Sequence, residues 1–358
     1  MKRRPTIPLL RIRRPAAAIA LFLAAAGAAP TALADDVADF YRGKVIHIIV
    51  GAATGAAYDT AARMLAAHMA PHIPGTPAIV VENMVGAASL KMTNYVYNSA
   101  PHDGTVIGEP NSSILLEPRL KLLSRNGGAV QFDLDRLQWL GTAMQEPQIL
   151  WFLRNGPVQS VADLKTQKAV VGATDTGSDN YVLPTIINKM LGTKMDIVAG
   201  YPGPNDFFVA AERGELQGAA TALSNLRIDR KDWWEANKAR VLIQFGTARD
   251  PLLADVPTAT ELAPNESEAQ MMQFLALKYK MARVFFLPPD TPATRVEALR
   301  RAFDATMKDP LFLDQAKQAG FDINPLSGED TTKLVRKIQD TPAPVVDGLR
   351  AMIAPQGG

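Results

Sequence analysis

The stretch that decides the fold runs from Lys44 to Leu65, KVIHIIVGAATGAAYDTAARML. Val45 to Val50 is an apolar, β-branched run of the length of one buried strand. A loop of small residues, Gly51 to Tyr58, follows it, and Asp59 then opens an amphipathic helix. The backbone N–H groups in the first turn of that helix have no intrahelical acceptor, so a strand, loop and helix in this order make a natural anion site. A second copy lies further on. Lys168 to Ala173 reads as a buried strand, Thr174, Asp175, Thr176, Gly177 and Ser178 as a small polar loop, and Tyr181 to Leu191 as a helix. Two such mouths hold one ligand if each belongs to its own lobe.

From residue 44 onward short β-rich runs alternate with helical ones, the pattern of parallel sheets covered by helices. Strands are predicted at 45–50, 78–82, 105–109, 149–153, 168–173, 196–199, 217–221, 241–246 and 282–287. The run from Pro292 to Lys308 predicts a helix with Thr291 as its cap and Val296, Leu299, Phe303, Thr306 and Met307 on one face. Ser160 with Asp163, and Ser327 with Asp330, read as capping boxes. The turn at Gly141 to Pro147 and the segment from Phe245 to Pro251 mark places where the chain leaves one domain and returns. They divide it into residues 35–146 with 248–358 as one domain and 147–247 as the other.

Residues 1–34 stand apart. Six basic residues (Lys2, Arg3, Arg4, Arg11, Arg13 and Arg14) precede an Ala/Leu-rich run, and Ala32, Leu33 and Ala34 give a small-x-small site, so a signal peptide cleaved after Ala34 is expected. Arg13-Arg14 leaves the twin-arginine and general secretory routes both open. Without this segment the chain has 32 basic and 36 acidic residues, a balance that offers nucleic acid no electrostatic footprint. The sequence contains no cysteine, which excludes disulfides, thiolate metal sites and a lipid-modified cysteine. Cores alone must hold it together, and 324 residues suffice for two domains.

Several local signatures occur in an order that resembles the Bug family, the periplasmic binding components of tripartite tricarboxylate transporters. They are Val50 to Asp59; the strand end Val80, Val81, Glu82 and Asn83 with Gly86; Ala100, Pro101, His102, Asp103 and Gly104; Asp255 to Thr258 with Glu261; and Leu287 to Pro292. The resemblance implies a periplasmic-binding-protein-like fold, two α/β domains with a ligand cleft between them. It also implies a small organic carboxylate as ligand, a multi-span membrane permease with its small membrane subunit as partner, and no cofactor; a monomer is expected. The chain departs from the family where two or three glycines are usual. Here stand Gly55, Ala56 and Ala57, whose methyl groups are expected to narrow the pocket or to pull one amide off target.

The candidate ligand contacts are Thr54, Gly55, Ala56, Ala57 and Asp59 on the first wall, and Thr174, Thr176, Gly177, Ser178 and Asp179 on the second. Ser89, Ser112 and Tyr201 follow other strands and are secondary contacts. Neither loop contains a basic residue, so amides and hydroxyls carry the anion. Ordinary surface turns are the plain alternative, and Asp59 can equally serve its own helix dipole. If its carboxylate faces the cleft, it selects a ligand ammonium or hydroxyl.

Enzyme chemistry finds little support. Gly172 to Ser178 has phosphate-loop spacing, but Ser178 stands where lysine is required. His68 and His72 share a helix face without an HExxH context, His47 reads as a core residue, and no Gly-x-Ser-x-Gly elbow is present. Trp233-Trp234 reads as a helix packing its aromatic face on the core. Beside a transport receptor stand two alternatives, a ligand-presenting component for a sensor kinase and a hydrolase or lyase using Asp59 and Asp179 as a carboxylate pair.

Overall fold

The computed structural model describes residues 36–122 and 129–354. The signal segment therefore lies outside the described residues. Two mixed sheets organise the chain. The first has the order β11-β4-β10-β3-β1-β2, built from β1 (Val45–Val50), β2 (Ala78–Asn83), β3 (Val106–Glu109), β4 (Gln138–Thr142), β10 (Val284–Leu287) and β11 (Leu326–Ser327). The second has the order β7-β6-β8-β5-β9, from β5 (Gln148–Leu153), β6 (Ala169–Ala173), β7 (Met195–Ala199), β8 (Gly218–Ala222) and β9 (Ala239–Phe245).

Each sheet has a parallel half where strands are joined by helices and an antiparallel half where the chain crosses between sheets. β1 pairs in parallel with β2 and β3, and β6 with β7 and β8. β4 and β10 pair antiparallel in the first sheet, and β5 pairs antiparallel with both β8 and β9 in the second. The chain passes from the first sheet to the second between Thr142 and Gln148, and returns between Phe245 and Val284. Parallel pairing puts the ends of β1, β2 and β3 on one edge, where their following loops meet.

Among the described residues the helices of nine or more residues are α1 (Ala57–Met69), α2 (Leu90–Asn98), α3 (Asp179–Leu191), α4 (Pro204–Glu212), α5 (Glu266–Ala276), α6 (Ala293–Thr306), α7 (Pro310–Gln318), α8 (Gly328–Gln339) and α9 (Ala343–Ile353). α1 buries Ala61, Ala62, Met64, Leu65 and Met69, the stripe that its 3.6-residue period places on one face. The second lobe centres on Trp151, which stacks on Phe208 with centroids 4.7 Å apart and meets Trp233 edge-on at 5.5 Å. Trp233 thus belongs to the core, as its sequence context suggested. No described helix is long and apolar enough to cross a membrane.

Several local expectations change. Gln138–Thr142 is a strand with no clear mark in the sequence, since QWLGT is short and interrupted by Gly141, and it packs Trp139 against Phe286 at 5.6 Å. Thr291 does not cap α6. Its hydroxyl donates to the Pro288 carbonyl, and Pro292 occupies the cap position. Ser160 and Asp163 form the full reciprocal box, each accepting from the other's N–H. Ser327 caps Asp330 N–H, but the Asp330 carboxylate accepts from the Ser327 hydroxyl rather than from its amide. His47 is half-exposed and paired with Glu82 at 2.6 Å, not a core residue. The rings of His68 and His72 turn to Gln315 and Asp309 beside α7, which gives each its own partner.

Candidate functional site

The first wall is built by spending its own polar groups. Gly55 takes φ = 80°, a left-handed conformation that glycine adopts at no steric cost, and this turn aims its N–H at Asp59 Oδ2, 2.8 Å away. Asp59 is 2% exposed and also accepts from Asn83 Nδ2 at 2.9 Å and from the Arg63 guanidinium at 2.9 and 3.0 Å. Arg63 above all, then the Gly55 amide and Asn83, hold its pKa at about 2 against the cost of burial. The Asp59 carboxylate therefore fixes the loop from behind and does not line the cleft. Asn83 completes the bracing, donating to Ala52 O at 2.9 Å and accepting from the Thr54 hydroxyl at 3.1 Å.

The alanines beside Gly55 do not strain the backbone of this loop. Ala56 has φ = −69°, ψ = 161°, which any residue adopts, so the one position that needs glycine keeps it. Gly55 and Ala57 line the cleft together with Tyr58 and Thr60; Thr54, Ala56 and Asp59 form the scaffold behind.

The loop after β2 is strained. Ala87, Ala88 and Ser89 have φ of 44°, 46° and 78°, a left-handed path that costs non-glycine residues on the order of 1–3 kcal/mol each. Ser89 helps to hold it there. Its buried hydroxyl donates to Gly51 O at 3.0 Å and accepts from Asn111 N–H at 2.8 Å, tying together the loops after β1, β2 and β3. Ser89 is thus a clamp beneath the wall, while Ala87, Ala88, Asn111, Ser112 and Ser113 reach the cleft.

On the second wall β6 leads through residues 174–178 into α3. Asp175 shapes this turn, accepting Gly177 N–H at 2.8 Å, and the Asn180 amide oxygen accepts Thr174 N–H at 2.9 Å. Asp175, Thr176, Gly177, Ser178 and Asp179 line the same cleft as the first wall, whose volume is about 940 Å3. Thr174 lies behind them, and Tyr201 packs edge-on against Phe207 at 5.6 Å instead of lining the cleft.

The floor was not legible in the sequence. Glu146, Tyr279, Arg283 and Phe321 belong to it, contributed by the segments that cross between the sheets and by the turn after α7. Arg283 is 7% exposed; its guanidinium lies over the Tyr58 ring, 4.1 Å from the centroid. The expectation of a site without a basic side chain is thereby corrected. Arg283 precedes a buried strand some 225 residues after Tyr58, and no local pattern marks it. Behind it Glu109 is fully buried, and desolvation pushes its pKa well above the usual carboxylate value despite the Arg283 charge. Burial, with the Asp179 carboxylate adding to it, likewise raises the Tyr279 hydroxyl.

Two ion pairs bridge the lobes, one of them made by Asp179 of the cleft wall. Lys278 Nζ contacts Asp179 Oδ1 at 2.6 Å, and Arg227 pairs with Asp322. Asp59 and Asp179 therefore each have their own cation, and the acid–base pair imagined for a hydrolase or lyase is not assembled. Among the described residues no group of three or more His, Cys, Asp or Glu is placed to hold a metal ion.

Comparison with known proteins puts this geometry in context. No family model matches the sequence. A UPF0065 protein in the TAR-I ttuE-ttuC' intergenic region of Agrobacterium vitis is 23% identical over 298 residues, 79% of this chain and 77% of that protein. A TctC solute binding protein from Polaromonas superposes with a TM-score of 0.65 at 15% identity, covering 87% of this chain and 99% of that one. The chain has the fold of tripartite-tricarboxylate-transporter-type (Bug) solute-binding proteins. MatC from Rhodopseudomonas palustris, solved with bound malate, shares this fold with a TM-score of 0.59 at 18% identity over 87% of this chain and 99% of that one. Two α/β lobes with a cleft between them, as the sequence reading expected, are thus established for this chain.

Proposed function

We propose that this chain is a solute-binding receptor that captures a small organic carboxylate between its lobes and passes it to a tripartite-tricarboxylate-type membrane transporter. The observation that carries this reading is the convergence of two strand-loop-helix mouths on one cleft, with Gly55 and Ala57 on one side and Thr176 to Asp179 on the other. Each mouth supplies a helix N-terminus, equivalent to roughly half a positive charge, where unpaired backbone N–H groups favour an anion. The malate named for MatC is a ligand of this chemistry.

We assign residues 35–146 with 248–358 to one lobe and 147–247 to the other, an assignment supported by the strand membership of the two sheets. The receptor is periplasmic, cleaved after Ala34, monomeric and without a cofactor. A multi-span permease with its small membrane subunit is its partner. Of the residues nominated from sequence, Gly55, Ala57, Ser112, Thr176, Gly177, Ser178 and Asp179 remain the proposed contacts; Thr54, Ala56, Asp59, Ser89, Thr174 and Tyr201 act behind them.

A thermal-shift screen of the purified protein against small mono-, di- and tricarboxylates tests the reading. Stabilisation by at least one carboxylate, with stoichiometric binding and no product, is expected. Product accumulation, or no response to any of them, contradicts it.

A further inference from the structure

The charges in the cleft are unequal. Among the described residues Arg283 is the one basic residue lining it, whereas Glu146, Asp175, Asp179 and Asp229 all line it. Asp179 is neutralised by Lys278. Among the described residues the other three accept only from neutral donors, Glu146 from the Ser224 hydroxyl, Asp175 from Gly177 N–H and the Thr174 hydroxyl, and Asp229 from Asn225 Nδ2. Arg283 is the mirror case. Among the described residues its guanidinium makes a single hydrogen bond, Nη1 to the Ala282 carbonyl at 2.8 Å, and its buried Nε has no acceptor. Its position is nevertheless fixed: the Tyr58 ring lies under it, and its own carbonyl accepts Ala143 N–H at 2.8 Å and the Thr142 hydroxyl at 3.0 Å. The raised pKa of the Glu109 carboxyl behind it favours the neutral form, which leaves the guanidinium charge free for a ligand.

A dianion entering this cleft meets one cation and three unpaired carboxylates. A like-charge contact is costly, most of all at the buried Glu146 and less at the exposed Asp175 and Asp229, while a guanidinium with free N–H groups is well matched to one carboxylate. We propose that the ligand is a small zwitterion, its single carboxylate held by Arg283 over Tyr58 and its ammonium end directed to the acidic side formed by Glu146, Asp175 and Asp229. This rests on the receptor reading above and narrows it from carboxylates in general to ω- or α-amino carboxylates.

Isothermal titration calorimetry with matched pairs tests it: linear ω-amino acids against α,ω-dicarboxylates and plain monocarboxylates of the same chain lengths, with α-amino acids as a further arm. We expect the best amino acid to bind at least about tenfold tighter than its dicarboxylate and monocarboxylate counterparts. Arg283→Gln should weaken it at least about tenfold at an unchanged thermal midpoint, and Glu146→Gln or Asp175→Asn should narrow its advantage over the monocarboxylate. If Arg283→Gln does not fold, the two acidic-side variants carry the test, since they leave the anchor intact. A dicarboxylate that binds more tightly than every amino acid, or acidic-side variants that leave the discrimination unchanged, overturns the inference while the receptor reading stands. Absence of binding by any carboxylate, zwitterionic or not, overturns both.

Discussion

Lys278 Nζ lies 2.6 Å from Asp179 Oδ1, and these two residues stand on opposite sides of the cleft. Lys278 follows α5 on the segment returning to the first sheet; Asp179 is the first residue of α3 on the second wall. With Lys278 buried and Asp179 one-quarter exposed, the pair is a latch in a partly dry setting. Lys278→Met should remove about 1.5–3 kcal/mol of stability, the range for hydrogen bonds to charged groups, and let the lobes part. Small-angle scattering of the ligand-free variant is expected to give a larger radius of gyration than the parent. An unchanged radius with unchanged stability would show that the pair does not hold the lobes.

Asp59 sets the shape of the first mouth, so its removal acts on both stability and binding. Asp59→Asn should cost about 1–2 kcal/mol, the lower part of the charged range because Arg63 is half-exposed and screened by water. The folded pKa of about 2 lies below the ordinary 3.8. Its stabilising contribution is therefore complete above the unfolded value and lost as pH falls from about 4 toward 2. Acid denaturation followed by circular dichroism should show a shallower loss in this window for Asp59→Asn than for the parent.

Glu109 has the opposite sign. Its folded pKa is raised, so the native state holds a proton that the unfolded chain releases above 4.5, and stability falls as pH rises through the interval between the two values. The slope is at most about 1.4 kcal/mol per pH unit. Glu109→Gln removes it. Urea titrations at about pH 5 and pH 7 should show the variant gaining on the parent as pH rises, and a gain equal at both values would contradict this reading.

Ser89 joins three loops through one hydroxyl, between Gly51 O and Asn111 N–H. Ser89→Ala leaves a buried amide and carbonyl without that partner and releases part of the restraint on the strained Ala87–Ala88 turn. A loss of about 1–3 kcal/mol is expected by chemical denaturation, together with faster hydrogen exchange at residues 86–90.

What the sequence discloses and what it hides follow from the range of the forces involved. Strands β1 and β6 were legible because burial of most of their residues writes an almost continuous apolar run, and the mouths because small residues between strand and helix are local signals. The side-chain direction of Asp59 was not legible. An acid in a first helical turn looks the same facing a ligand or facing Arg63, and one of the groups that turns it inward, the Asn83 amide, comes from 24 residues away. Ser89 and Tyr201 fell in the right loops, yet hydrogen bonds and packing turned them inward. Arg283, Tyr279 and Glu146 were invisible for a different reason. They come from the crossing segments, whose adjacency to the mouths arises only when both sheets have formed.

The central claim is that both mouths touch the same guest. Hydrogen–deuterium exchange with and without a saturating amount of the tightest carboxylate from the screen tests this most directly. The account predicts slowed exchange in two separate places, the amides of residues 55–60 and those of residues 175–180. Protection confined to one of these segments, or absent from both while binding persists, would contradict it.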